Sequence, residues 1–486
     1  LKQLEAQGMI RPKNRMQLDV GYDFLLRTRN ELHYQTTRLV DDMPKALQPR
    51  VAWHLGYKNR SPARRLEELM RDLYTHLRAI HLITRMVERR LALRPKNIHR
   101  LPSFRTLFGG GKKEESIDGF KIINGELVPT SSRIFKDQPR RLMRVFLYAQ
   151  QRGLEFHPDL TQLLRDNAPL VDDGFIHDAE NHETFLEILN QRGNVAPAMR
   201  AMHEVDLLGR YIPEFGRMTC LVQHEFFHAY AADEHTLVCL EKLDQIWDAD
   251  KPPFAHYTHI LQDIDLPYLL YLALFLHDAG KGMESGDHVK DGTAVALKVG
   301  ERLGLTPRRL GRLQFLVEHH LLMAETSQRR DIDSPTVIRQ FAETVQDEEN
   351  LAMLTLLTFA DSLGTSNNLW NDFKNTLLQT LYHLAGRRLA SGKDYEQAEQ
   401  QRLAKLMQEA REQLPLKISV EELEAHFEHL TPRYFRTHSL EHINIDLTQV
   451  NRFLKRVVNG SGSRVLEPVI AWHNQPARGH TSVKIC

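Results

Sequence analysis

Residues 266–282 read LPYLLYLALFLHDAGKG, and this stretch decides how the chain is understood. Its first eleven residues are apolar. That run is too short to span a bilayer. Apolar on every side, it predicts a helix buried all round. His277 and Asp278 close the run, and the glycine turn AGKG follows. A carboxylate and an imidazole buried at a helix end are costly unless something pairs them. A divalent metal would do so. The plain alternative is an ordinary helix C-terminus with a polar pair and a glycine stop.

Other donors lie along the chain in helical surroundings. His235 lies in DEHTLVCL, His288 in GDHVKDG, His319 and His320 in LVEHHLLM, and Asp361 in LLTFADSLG. Imidazoles with carboxylates suit Zn, Fe or Mn better than a pure Ca or Mg site. The ordered set resembles the HD superfamily of metal-dependent phosphohydrolases. That resemblance implies one or two metal sites on a helical core. Such a site lowers the pKa of bound water and neutralises phosphoryl oxygens. Asp278 is then the natural bridging ligand, with His277, His235 and Asp361 completing a first site. His288 and His319 would supply a second, with His320 close enough to replace or assist His319.

Three further features bear on this site. Lys281, between Gly280 and Gly282, is placed to reach a phosphate oxygen, or else is a surface lysine at a helix C-terminus. Arg329 and Arg330 could bind a substrate phosphate, or could belong to a solvated loop. His224-Glu225-Phe226-Phe227-His228 matches the HExxH pattern of zinc peptidases. A metzincin continuation would need Gly at Ala231 and His at Glu234, and has neither.

The whole chain sets bounds. Its 486 residues exceed a single core, so several domains are expected. The net charge of +1, with both signs interspersed, gives no sign of nucleic-acid affinity. Three cysteines without a CxxC pair fit a reducing cytosol, so a cytoplasmic protein is expected. No apolar segment has the length of a membrane span.

Helical periodicity runs from residue 1 to about 95. Pro, Gly-Gly-Gly and KKEES mark 96–118 as a linker. DGFKIINGELVP then predicts a small hairpin at about 119–130 around the Asn-Gly turn. Helices resume and complete a region of 96–208. The candidate catalytic domain covers 209–370, a charged helical region 371–463, and strand-like pieces EPVIAWHN and TSVKIC lie within 464–486. Two strands alone are not a stable unit. The natural protein is therefore expected to continue past both ends.

HEFFHAYAADEHTL, LALFLHDAGKG, GDHVKDG, EHHLLMAETSQRRDIDSP and LLTFADSLGT together resemble the bacterial PII uridylyltransferase/uridylyl-removing enzymes. So do LEELMRDLY, AMHEVDLLGRYIPEFGRM and LTPRYF outside that domain. The resemblance implies an HD domain that hydrolyses Tyr-O-UMP on the PII signalling protein. It implies metal ligands His235, His277, Asp278, His288, His319 and Asp361, with Asp278 and Lys281 in catalysis and Mn or Mg as the family's ion. It also implies a nucleotidyltransferase domain upstream, and ACT domains downstream that sense glutamine. No Gly-Ser turn with Asp-x-Asp strand precedes the first helices, and 464–486 resembles only the first strands of an ACT domain. Ala279 and Ala231-Ala232 depart from the usual family residues.

The expectation is thus a mainly α, multi-domain chain with a central HD phosphohydrolase that removes UMP and does not add it. The alternatives are an HD enzyme acting on free nucleotides or cyclic dinucleotides, and a non-catalytic helical scaffold. Six retained ligands argue against the scaffold. The family-like segments outside the HD domain argue against the free-nucleotide enzyme.

Overall fold

The computed structural model describes residues 1–92, 115–222, 230–283, 287–366, 370–391, 394–414, 418–430, 434–435, 438–459, 468–475 and 480–485. The HExxH match and the Gly-Gly-Gly linker lie outside them. The chain is mainly α-helical, as expected. It divides into two compact units. One comprises Leu1–Leu321 with Ala352–Asn375, the other Leu322–Leu351 with Thr376–Cys486.

The first unit opens with two long paired helices, α1 (Pro12–Thr36) and α2 (Pro62–Ala92). Leu66, Leu69, Leu82, Ile83 and Met86 form the buried stripe of α2. A second stripe is cationic. Steps of seven residues return to nearly the same helix face, and Arg71, Arg78 and Arg85 use this spacing. Arg71 donates to the Arg217 carbonyl at 2.7 Å, and Arg78 to the His203 carbonyl at 2.6 Å and to Asp206 at 3.1 Å. Arg85 grips the Glu204 carboxylate with both terminal nitrogens. α2 is therefore fastened along 203–217.

The expected hairpin is present as β2 (Phe120–Ile123) and β3 (Glu126–Pro129). Asn124 and Gly125 both have positive φ, as a type I′ turn requires. A second such turn at Asp118-Gly119 adds β1 (Glu115–Ile117), so the end of the expected linker is a strand. A two-residue strand, β4 (Glu155–Phe156), pairs in parallel with β3 after α3 (Arg141–Arg152), within a region that reads as helical.

The core centres on α7 (Pro267–Leu276), the apolar run. α4 (Ala179–Leu189), α5 (Ala196–Glu204) and α6 (Ala232–Asp244) precede it. α8 (His288–Arg302), α9 (Pro307–Glu318) and α10 (Glu348–Thr365) follow. α7 is packed by α4, α6, α8 and α9, and all ten of its residues are buried. Each large side chain so buried contributes roughly 1.5–3 kcal/mol. Asp244 of α6 ties the layers together. It accepts from Ala196 N and Tyr271 Oη, each at 2.7 Å, and from Val195 N at 3.2 Å.

The second unit has its own core of Ala410, Ile418, Leu423, Phe435, Ile443 and Leu447. α11 (Asp394–Glu412), α12 (Val420–His429) and α13 (Leu440–Asn459) build it. Ser419 and Glu422 form a capping box that starts α12. The C-terminal strand pieces pair antiparallel as β5 (Ile470–Gln475) and β6 (His480–Ile485).

Candidate metal centre

Three helices of the first unit deliver the donors: α6 carries His235, α7 ends at His277-Asp278, and α10 carries Asp361. His235 Nε2 lies 3.1 Å from Asp361 Oδ1 and 3.5 Å from Asp278 Oδ2. His277 Nε2 lies 3.4 Å from Asp278 Oδ2 and 3.6 Å from Asp361 Oδ1. Both histidines and Asp278 are buried. Lys281 Nζ sits 2.8 Å from Asp278 Oδ2 and adds a third positive partner.

The turn Ala279–Gly282 gets Lys281 there. Gly280 makes it possible: a Cβ at this position would overlap the His288 carbonyl and lie 2.5 Å from Gly292 N. Only a residue without a side chain lets the turn press onto the start of α8.

The electrostatics follow from burial and proximity. Burial alone would push the His277 imidazole towards neutrality. Asp278 and Asp361 outweigh it and raise the pKa to about 10. Burial likewise opposes ionisation of Asp278. His277, Lys281 and His235 nevertheless hold its carboxyl well below the usual range. Asp361 is held low against burial by His235 and His277. Two imidazoles and an ammonium thus face one buried and one half-buried carboxylate.

The donor set fits a divalent cation. His277 Nδ1 lies 2.7 Å from the Leu274 carbonyl, which takes the Nδ1–H and aims Nε2 inward. That Nε2 is buried and makes no hydrogen bond, which suits a metal-ligating nitrogen. An ion with bonds of about 2.1 Å sets neighbouring donors roughly 3.0–3.4 Å apart, close to the separations found here. His235, His277 and Asp278 form one compact donor group, and His235, Cys239 and Asp361 another, each spanning no more than 4.8 Å. No other such group occurs among the described residues.

Cys239 escaped the sequence reading, which used it only to argue redox compartment. It follows His235 by one helical turn, and that spacing was the available signal. Its Sγ lies 3.6 Å from His235 Nε2, and burial pushes the thiol pKa well up. The adjacent histidines part company. His320 is buried, with its ring centroid 5.5 Å from that of His277. His319 is half-buried, 5.0 Å from the ring of Phe315. His288 is the first residue of α8 and is half-buried. Neither His288 nor His319 belongs to the compact donor groups. Arg329 and Arg330 lie in the second unit.

Comparison with known proteins adds the lineage. Residues 1–88 match the family model "GlnD PII-uridylyltransferase", and 120–211 match "Uridylyltransferase GlnD third domain". The chain belongs to the GlnD uridylyltransferase family. It is 34% identical over 382 residues to the bifunctional uridylyltransferase/uridylyl-removing enzyme of Cereibacter sphaeroides, covering 78% of this chain and 40% of that one. The enzyme of the same description from Nitrosococcus oceani is 34% identical over 415 residues, 82% of this chain and 44% of its own. That from Azospirillum brasilense is 31% identical over 396 residues, 81% and 41%. The chain therefore spans about two fifths of the length of these GlnD relatives. His235, His277, Asp278 and Asp361 lie beyond the two segments matched by the GlnD models.

No helix among the described residues is long and apolar enough to cross a membrane.

Proposed function

We infer that the His235, His277, Asp278 and Asp361 centre hydrolyses a phosphodiester, and that the bond is the Tyr-O-UMP linkage of a uridylylated PII protein. The observation that carries this reading is the convergence of two imidazoles and two carboxylates at 3.1–3.6 Å, with His277 Nε2 buried and without a hydrogen bond. The uridylyl-removing activity named for the relatives supplies the substrate class.

A bound divalent ion, Mn or Mg by family likeness and Zn or Fe by donor type, would supply an activated water and charge neutralisation. The chain's own groups do the rest. The Leu274 carbonyl fixes the His277 tautomer by taking its Nδ1 proton. Asp278 holds His277 and Lys281 in place through one oxygen. Lys281, held at Asp278, would be the cation at hand to meet a phosphoryl oxygen. PII as partner and a cytoplasmic setting belong to the same reading. Glutamine as an effector belongs to that reading as well.

The test is direct. The chain is loaded with Mn, incubated with uridylylated PII protein, and assayed for released UMP; labelling of PII from UTP is measured in parallel. Release without labelling is expected. No release by protein with full metal content would refute the hydrolase reading.

A further inference from the structure

We propose that Arg217 is a substrate-binding residue beside the turn that carries Lys281, where it takes the anionic oxygens of a phosphodiester, and that Arg71 of α2 holds it there. This rests on the hydrolase reading above and adds to it a residue from the segment YIPEFGRM, which the metal site leaves unexplained.

Arg217 is exposed, but its backbone is firmly placed. Two residues before it, Phe215 is fully buried, with its ring 4.7 Å from that of Phe275 in α7. Met218, immediately after it, is fully buried too. The Arg217 carbonyl accepts from Arg71 at 2.7 Å. A well-packed platform therefore carries one exposed cationic side chain.

That platform abuts the turn that positions Lys281. A side-chain carbon at Gly282 would sit 3.1 Å from Arg217 Cβ, so glycine is what lets the two segments meet. The Arg217 guanidinium donates to the Met283 thioether at 3.0 Å. A thioether is a weak acceptor. Among the described residues no carboxylate pairs with this guanidinium, whereas Arg78 and Arg85 of α2 each meet one. Gly282, which faces Arg217 Cβ, directly follows Lys281, whose Nζ touches Asp278, and among the described residues the Arg217 donors meet no anion. A guanidinium fork pairs with two oxygens of a phosphoryl group.

The contact also links regions far apart in sequence. Arg71 lies within 1–88, the segment matched by the uridylyltransferase model. Its bond to the Arg217 carbonyl ties that segment to the one that abuts the Lys281 turn.

The experiment uses the 486-residue chain loaded with Mn. Turnover of thymidine 5′-monophosphate p-nitrophenyl ester and equilibrium binding of UMP are measured for wild type, Arg217→Gln, Arg217→Lys and Arg71→Gln, with metal content checked in each. Arg217→Gln should raise KM and the Kd for UMP roughly tenfold, the size of one charge-assisted hydrogen bond, with metal content unchanged. Arg217→Lys should recover part of this, and Arg71→Gln should show a smaller loss. If wild type binds UMP through Arg217 but turns nothing over, the hydrolase reading fails and the binding assignment stands. KM and Kd within about twofold of wild type in Arg217→Gln would overturn the assignment. So would a wild type that neither binds UMP nor turns over the ester.

Discussion

His320, not its neighbour His319, faces His277: the two rings stand 5.5 Å apart at 71°. Each ring also sets its Nδ1 2.7 Å from the carbonyl three residues earlier, Leu274 for His277 and Val317 for His320. Two helix ends thus present imidazoles in the same way. The His320 pKa is lowered first by burial and then by the charge on His277. A neutral imidazole is the ligating form.

This arrangement separates two adjacent residues by experiment. His320→Ala should lower Mn affinity or turnover by at least roughly tenfold, as loss of a ligand or of its close support does. His319→Ala should leave both near wild type. Calorimetric Mn titration and ester turnover read the difference, and equal effects of the two changes would reject it.

Metal uptake should release protons. In the metal-free protein the His277 pKa is about 10, above its ordinary value of 6.5. A raised histidine stabilises the fold fully below about 6.5, and that contribution fades as pH rises through 10. The depressed carboxyls of Asp278 and Asp361 act oppositely: their contribution is present above about 4 and is lost in acid. Ligation needs neutral His277, so at pH 8 each ion must displace its proton. Titrations in buffers of different ionisation enthalpy should show about one proton released per ion at pH 8, with affinity rising with pH. Affinity independent of pH between 7 and 9 would contradict the charge assignment.

Asp244 supports the core without taking part in chemistry. Asp244→Ala would leave Val195 N, Ala196 N and Tyr271 Oη without their shared acceptor. Buried donors left unsatisfied cost about 1–3 kcal/mol each, so a loss of several kcal/mol is expected. Chemical denaturation should show an earlier midpoint, with metal affinity of the remaining folded protein near wild type.

What the sequence revealed, and what it hid, follows from the range of each interaction. The all-apolar run 266–276 had to be a buried helix, and α7 is one. Asn-Gly between strand-like residues had to be a turn, and Asn124-Gly125 is one. These are local signals. Asp118-Gly119 carried the same kind of signal, but ESI before it is too short and polar to read as a strand. Cys239 was within reach through its helical spacing from His235. The choice between His319 and His320 depends on how α9 ends, because one residue of rotation at a helix terminus exchanges the inward face for the outward one. The bond from Arg71 to Arg217 is a tertiary contact across distant segments, and no local pattern encodes it.

Asp278 is the residue on which the centre turns. One of its oxygens lies within 3.5 Å of His235, His277 and Lys281. Asp278→Asn keeps the shape and removes the charge. His277 would lose its strongest attraction and Lys281 its carboxylate partner. The amide would be a poor ligand for a hard divalent ion. Metal affinity should fall, and phosphodiester turnover with it by orders of magnitude, because the activated water is lost. The fold should persist, since α7 and the helices around it bury their apolar faces without help from the carboxylate. Circular dichroism should show unchanged helix content and a cooperative melt, while metal analysis and ester turnover both collapse. An Asp278→Asn protein that keeps its metal and hydrolyses the ester at near the wild-type rate would remove the reason for placing the chemistry here.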